Sequence, residues 1–149
     1  MVGCTVTSVI SQVGQITTAA EDALASNDPQ VAKYADLIAG GAGCALGYLQ
    51  SSATTVIKSA DALSCFAGIV APVLPAGTPQ TVLTYVANIE QYVQSFLAQY
   101  RAAVRVGAAS TPQGLGFVDR WRIRRIRSKV DSIHQRALII EQAGVKAGP

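Results

Sequence analysis

The chemistry of this sequence is concentrated in one run, Asp119-Arg120-Trp121-Arg122-Ile123-Arg124-Arg125-Ile126-Arg127-Ser128-Lys129. Read as a helix, it puts Ile123 and Ile126 on one face. Arg120, Arg124 and Arg127 then lie along one flank, and Arg122, Arg125 and Lys129 along the other. The planar fork of arginine matches carboxylate or phosphate two bonds at a time. Trp121 suits stacking on a base or a seat at a lipid interface. Three kinds of anionic partner fit: acids of this chain or of a neighbouring copy, nucleic acid, and anionic lipid. Charge arithmetic favours the first. Residues 1–100 carry two lysines against six acids, a net of −4, and residues 101–149 carry ten cations against three acids, a net of +7. A charge run alone argues weakly for nucleic acid, because affinity without base readout needs many phosphate contacts. Long arginine stems also cover the edges of an apolar seam while their heads stay in water.

The rest of the sequence holds little reactive chemistry. His134 is the one histidine, and its nearest acid in sequence is Asp131, three residues earlier. An i, i+3 pair of this kind reads as a surface hydrogen bond rather than as an acid–base couple, which needs a pocket and a positioned partner. Cys4, Cys44 and Cys65 are odd in number and have no metal spacing, so they read as small buried hydrophobes in a reducing compartment. Gly40-Gly41-Ala42-Gly43 lacks the lysine and the preceding strand of a phosphate loop. Neither GxSxG nor HExxH occurs, and nine acids at nine separate sites supply no metal cage. The expectation is a non-enzyme with no cofactor and no metal. Val2-Gly3-Cys4 lacks the charged and apolar regions of a lipoprotein signal, and no secretory signal is evident. The expected location is therefore the cytoplasm.

The elements that must position the basic run are helices. Asp28-Pro29, Thr78-Pro79 and Thr111-Pro112 each place a capping side chain before a proline at the first helical position. Gly107 and Gly144 suit helix stops. Val6, Val9, Val13, Ile16, Ala20 and Ala23 step 3-4-3-4-3. Val82, Val86, Ile89, Val93, Phe96, Tyr100 and Ala103 keep the same period, as do Ile123, Ile126, Val130, Ile133, Ala137 and Ile140. A strand needs period two, and these runs have seven-residue periods. The pattern predicts an all-α fold, a bundle of four or five helices with heptad-patterned seams and a basic C-terminal helix. The expected helices are about 5–25, 29–49, 52–70, 79–106 and 115–142, in a single domain covering 1–149. A phase change and four glycines predict a break or kink somewhere in 40–52. Gly43 and Gly47 form a small-xxx-small pair that would let two helices approach closely.

Composition points to an assembly. Half of the residues are hydrophobic and 14% are charged, against about 25% charged in an ordinary soluble domain, so much of the surface is expected to meet other chains or lipid. Val73 and Leu74, in the proline-bounded loop 72–77, are expected to contact other copies. The uncharged runs 37–57 and 62–89 are interrupted by polar residues or prolines and make poor membrane spans. The reading that fits best is a non-catalytic subunit of a multi-copy complex, a virus or bacteriophage particle component. It would associate with its own copies and with other subunits. The alternatives are a membrane-active helical hairpin of the lysis or pore type, and a small nucleic-acid-binding protein using residues 120–129.

Overall fold

The chain reverses first at Asn27-Asp28-Pro29, and local chemistry sets that reversal. Asn27 takes a left-handed conformation with φ of 53°, which asparagine tolerates better than most residues. The Asp28 carboxylate then accepts from the backbone N–H groups of Gln30 and Val31, and Pro29 opens the next helix. The cap reading of Asp28-Pro29 holds in full. In this computed structural model, residues 6–51, 55–106 and 115–147 are described, the side chains of 55–57, 100–106 and 144–147 excepted. The helices are α1 (Val6–Ala23), extended by a 3-10 turn over Leu24–Ser26, α2 (Pro29–Leu49), α3 (Thr55–Ser64), α4 (Gln80–Val106) and α5 (Phe117–Ala147). The fold is all-helical, with no strand among the described residues.

Helix α1 is the centre. It touches each of the other four, and around it the neighbours follow in the order α5, α2, α3, α4. The ring stays open between α4 and α5, which are not packed on each other among the described residues. Direction follows from paired residues. Thr7 meets Asp119, Gly14 faces Ile126, and Thr18 meets Lys129, so α1 and α5 run parallel. Asp36 meets His134, Gly43 faces Val130, and Gln50 meets Arg127, so α2 runs antiparallel to α5. Apolar residues of all five helices form one contiguous buried cluster. Val6, Val9, Val13, Ile16, Ala20 and Ala23 of α1 are all buried in it. Val86, Ile89, Val93 and Phe96 of α4, and Ile123, Ile126, Ile133 and Ala137 of α5, are buried too.

The region between α2 and α4 departs from the sequence expectation. α2 runs through Gly40, Gly41, Gly43 and Gly47 and ends at Leu49, so the expected 29–49 span holds and the break falls after Leu49, inside 40–52; what differs is the next helix. The buried face of α2 mixes alanines and Gly41 with Val31, Tyr34, Ile38, Leu46 and Leu49, and burial of that face outweighs the glycine penalty. Among the described residues the third helix covers Thr55–Ser64 and stops short of the expected end at 70. After Ser64 the chain turns back, and Phe66 and Ile69 lie over Gly41 of α2. A Cβ on Gly41 would come within 3.1 Å of the Phe66 ring. Phe66 also meets Phe96 of α4 edge-on, with ring centroids 5.5 Å apart, a favoured aromatic geometry. The close approach therefore falls at Gly41, not at the expected pair. Gly43 has room for a Cβ at ordinary contact with Val130, and Gly47 faces open space.

A disulfide fixes the same turn. Cys44 and Cys65 are bonded, and Cys44 is exposed while Cys65 is half-buried. The expectation of buried, reduced thiols is wrong for both. Cys44 sits on α2 one turn beyond Gly41, so the turn that stacks Phe66 on Gly41 also brings Cys65 to Cys44. Cys4 and Thr111 lie outside the described residues, as does Gly107. Thr78 bonds back to the carbonyl of Pro75 rather than capping α4, and Gly144 does not stop α5. Among the described residues, no helix is long and apolar enough to cross a membrane.

Candidate functional site

The opening of the ring between α4 and α5 forms a groove of about 600 Å³. Its floor is the polar stripe of α1, Ser11, Gln15, Thr18 and Asp22, which repeats at helical spacing opposite the helix's buried face. One wall is α4, with Tyr85, Asn88, Gln91 and Tyr92. The other is α5, with Trp121, Arg122, Arg125, Ile126 and Lys129. Ile126 is buried and seats α5 against Gly14, where a Cβ would stand 3.5 Å from Ile126 Cδ1.

Two of the three cations of this wall, Lys129 and Arg125, are held in place. Lys129 Nζ donates to Thr18 Oγ1 at 3.3 Å. The Arg125 guanidinium lies 5.3 Å from the centroid of the Trp121 ring, within cation–π range. At the α5 N-terminus, Thr7 Oγ1 donates to the carboxylate of Asp119 at 3.1 Å, which anchors the first turn of α5 to α1.

The two flanks read from sequence face different surroundings. Arg122, Arg125 and Lys129 line the groove with Trp121. Arg120, Arg124 and Arg127 do not line it. Arg127 Nη2 donates to Gln50 Oε1 at the end of α2, 2.7 Å away, and Arg120 and Arg124 are exposed. Among the described residues, none of these five arginines meets a carboxylate within 4 Å. Intrachain pairing, one form of the favoured partner, is therefore absent there. The acids are engaged otherwise or stand apart: Asp28 caps α2, Asp119 binds Thr7, and Asp36 accepts from His134 Nδ1 at 2.9 Å. That last contact corrects the Asp131 expectation. The antiparallel packing of α2 on α5 brings Asp36 to His134, whereas Asp131 is exposed.

The loop residues also separate. Val73 is 95% exposed, open to a partner. Leu74 is half-buried and packs against the chain's own core, which leaves only part of its side chain open to another copy. Sequence reasoning missed Tyr85 and Tyr92 and the polar stripe of α1. Their signal was present: Tyr85 and Tyr92 are seven apart, and 11, 15, 18 and 22 repeat at helical spacing. What was missing is that α4 and α5 leave α1 uncovered between them. Among the described residues, no group of acids, histidines and cysteines is placed to hold a metal ion.

Among the described residues these features define an all-α bundle of five α-helices with a central first helix and a cationic, aromatic groove. No protein-family model matches the chain, and no curated protein or solved structure is significantly similar to it.

Proposed function

We propose that this protein works by contact rather than by catalysis, as a single-domain subunit of a multi-copy assembly of the kind a virus or bacteriophage particle is built from. The observation that carries the reading is the set of exposed arginines on α5 with no carboxylate within 4 Å among the described residues. Five exposed arginines, none of them meeting a carboxylate among the described residues, stand beside the exposed Phe117, Val118 and Trp121 and make a surface suited to an external anionic partner. In this reading α5 is a heptad helix. Its narrow apolar stripe docks it on α1 and α2, and its outer flank of Arg120, Arg124 and Arg127 meets acids of a neighbouring copy. Glu21, Asp22, Asp61 and Glu90 supply the complementary charge. Val73 adds an apolar contact. The Cys44–Cys65 disulfide suits a particle that is exposed to an oxidising medium.

Mass measured in solution from low to molar salt tests this. A discrete oligomer that dissociates as salt rises is the expected result, and Val73→Asp should weaken it further. A monomer at micromolar concentration in every salt, or an assembly indifferent to salt, overturns the reading.

A further inference from the structure

We propose that the groove between α4 and α5 binds single-stranded nucleic acid, with the phosphates held by Arg122, Arg125 and Lys129 and the bases stacked on Trp121, Tyr85 and Tyr92. The inference rests on α5 being the contact helix of the proposed function, but it concerns the inner flank and not the flank assigned to neighbouring copies.

Three observations carry it. The first is the pairing of chemistries across one opening. Cations stand on the α5 wall, and aromatic rings stand on both walls. Stacking platforms beside a cationic track are what a single strand requires, because every base has a π-face and every nucleotide a phosphate. The second is preorganisation. The Thr18 hydroxyl holds Lys129, and Trp121 holds the Arg125 guanidinium at 5.3 Å. Trp121 nevertheless remains 50% exposed, so its ring still has surface to offer a base. The third is size. A volume of about 600 Å³ is that of a cleft for a small or slender ligand, and a double helix engages a far larger surface.

The other anionic partners fit less well. An acidic peptide would satisfy the cations and leave three aromatic faces without a matching surface. A lipid bilayer meets protruding surfaces, and these groups line a recess. The amides of Gln15, Asn88 and Gln91 in the same recess can donate to and accept from base edges. Asp22 is the one carboxylate among the lining residues, and it leaves the groove with a surplus of two positive charges.

The test is fluorescence anisotropy of a labelled twelve-nucleotide oligo(dT) titrated with the full-length protein at several salt concentrations. Duplex DNA of the same length and phosphatidylglycerol vesicles are the competitors. The oligonucleotide should bind, and the duplex and vesicles should compete poorly. Trp121→Ala should weaken binding at least about fivefold, since stacking on one aromatic contributes that much or more. Trp121→Phe, which keeps a π-face, should recover most of the loss. Arg122→Gln with Arg125→Gln should lower the slope of log K against log salt by about 0.7 for each phosphate contact removed. Arg120→Gln with Arg124→Gln, on the other flank, should leave the slope nearly unchanged. Circular dichroism on each variant separates lost binding from lost folding. Absent binding, equal or better competition by duplex or vesicles, or groove variants that bind like the parent would each overturn the proposal. The mass of the same samples, measured in parallel, reports separately on self-association. A large oligomer that ignores the oligonucleotide refutes the groove alone.

Discussion

Helices α2 and α5 lie side by side and antiparallel, yet they divide their residues in opposite ways. α2 buries eleven of its 21 residues, most of them alanine, glycine or aliphatic. α5, ten residues longer, buries Ile123, Ile126, Ile133 and Ala137 among its described side chains. A helix with so narrow an apolar stripe is held by its neighbours, and most of its surface is left for something else. A helix buried on α2's scale is there to be packed against. α2 is thus the fold's internal partner and α5 its outward face. Perturbations of α2 should register in stability, and perturbations of α5 in association.

The disulfide is the largest lever on the α2 side. It closes a loop of 21 residues, and restricting the unfolded chain in this way contributes about 3 kcal/mol in the loop-entropy account. Reduction, or Cys44→Ser with Cys65→Ser, should lower the free energy of unfolding in urea by that order. An unchanged urea midpoint after reduction would mean that the turn after α3 is held by Phe66 on Gly41 and Phe96 without help.

Tyr34 probes the same helix by pH. Burial, helped by the charge of Glu90, pushes its phenol from the ordinary 10.0 up to about 12. Below pH 10 the phenol is neutral in both the folded and the unfolded chain, and the folded state bears no penalty. As pH rises from 10 to 12 the unfolded chain ionises first, so stability is lost across that window, by about 2 to 3 kcal/mol in all. Tyr34→Phe should remove this part of the alkaline loss in a pH series of urea melts.

Glycines sharpen the comparison within α2 itself. Gly47 faces open space, and Gly47→Ala should stabilise by up to about 1 kcal/mol through helix propensity. At Gly41 a Cβ would press on Phe66 and Ile69. Gly41→Ala should therefore fall at least about 1 kcal/mol short of Gly47→Ala, through overpacking. Equal effects at the two sites would deny the close approach at Gly41.

These contrasts also show how far the sequence could be read. Period carried the helices: the 3-4 steps of Val6 to Ala23 and of Val86 to Phe96 fall on buried residues. Charge spacing on a helix likewise separated the two flanks of the basic run, because residues three and four apart share a face. What stayed hidden depends on contacts far apart in the chain. Nothing near Cys44 announces Cys65, and Asp131 is nearer His134 in sequence than Asp36 is. Gly43 and Gly47 look like a close-packing pair, yet α5 meets Gly43 only at ordinary contact through Val130, and Gly47 faces open space. The groove is the clearest case. Its three stripes are each visible in sequence, but only the order of helices around α1 makes them one site.

The division between α2 and α5 is tested most directly by sedimentation velocity on the variant Arg120→Gln, Arg124→Gln, Arg127→Gln, with its urea unfolding recorded on the same preparation. These three side chains lie on the surface, where substitutions shift stability by about 0.5 kcal/mol or less, and Arg127→Gln also gives up the exposed bond to Gln50, about 0.5–1.5 kcal/mol more. The account predicts a chain that unfolds within about those margins of the parent and sediments as a much smaller species. A variant that keeps the parent's mass, or one that loses its fold along with its assembly, would contradict it.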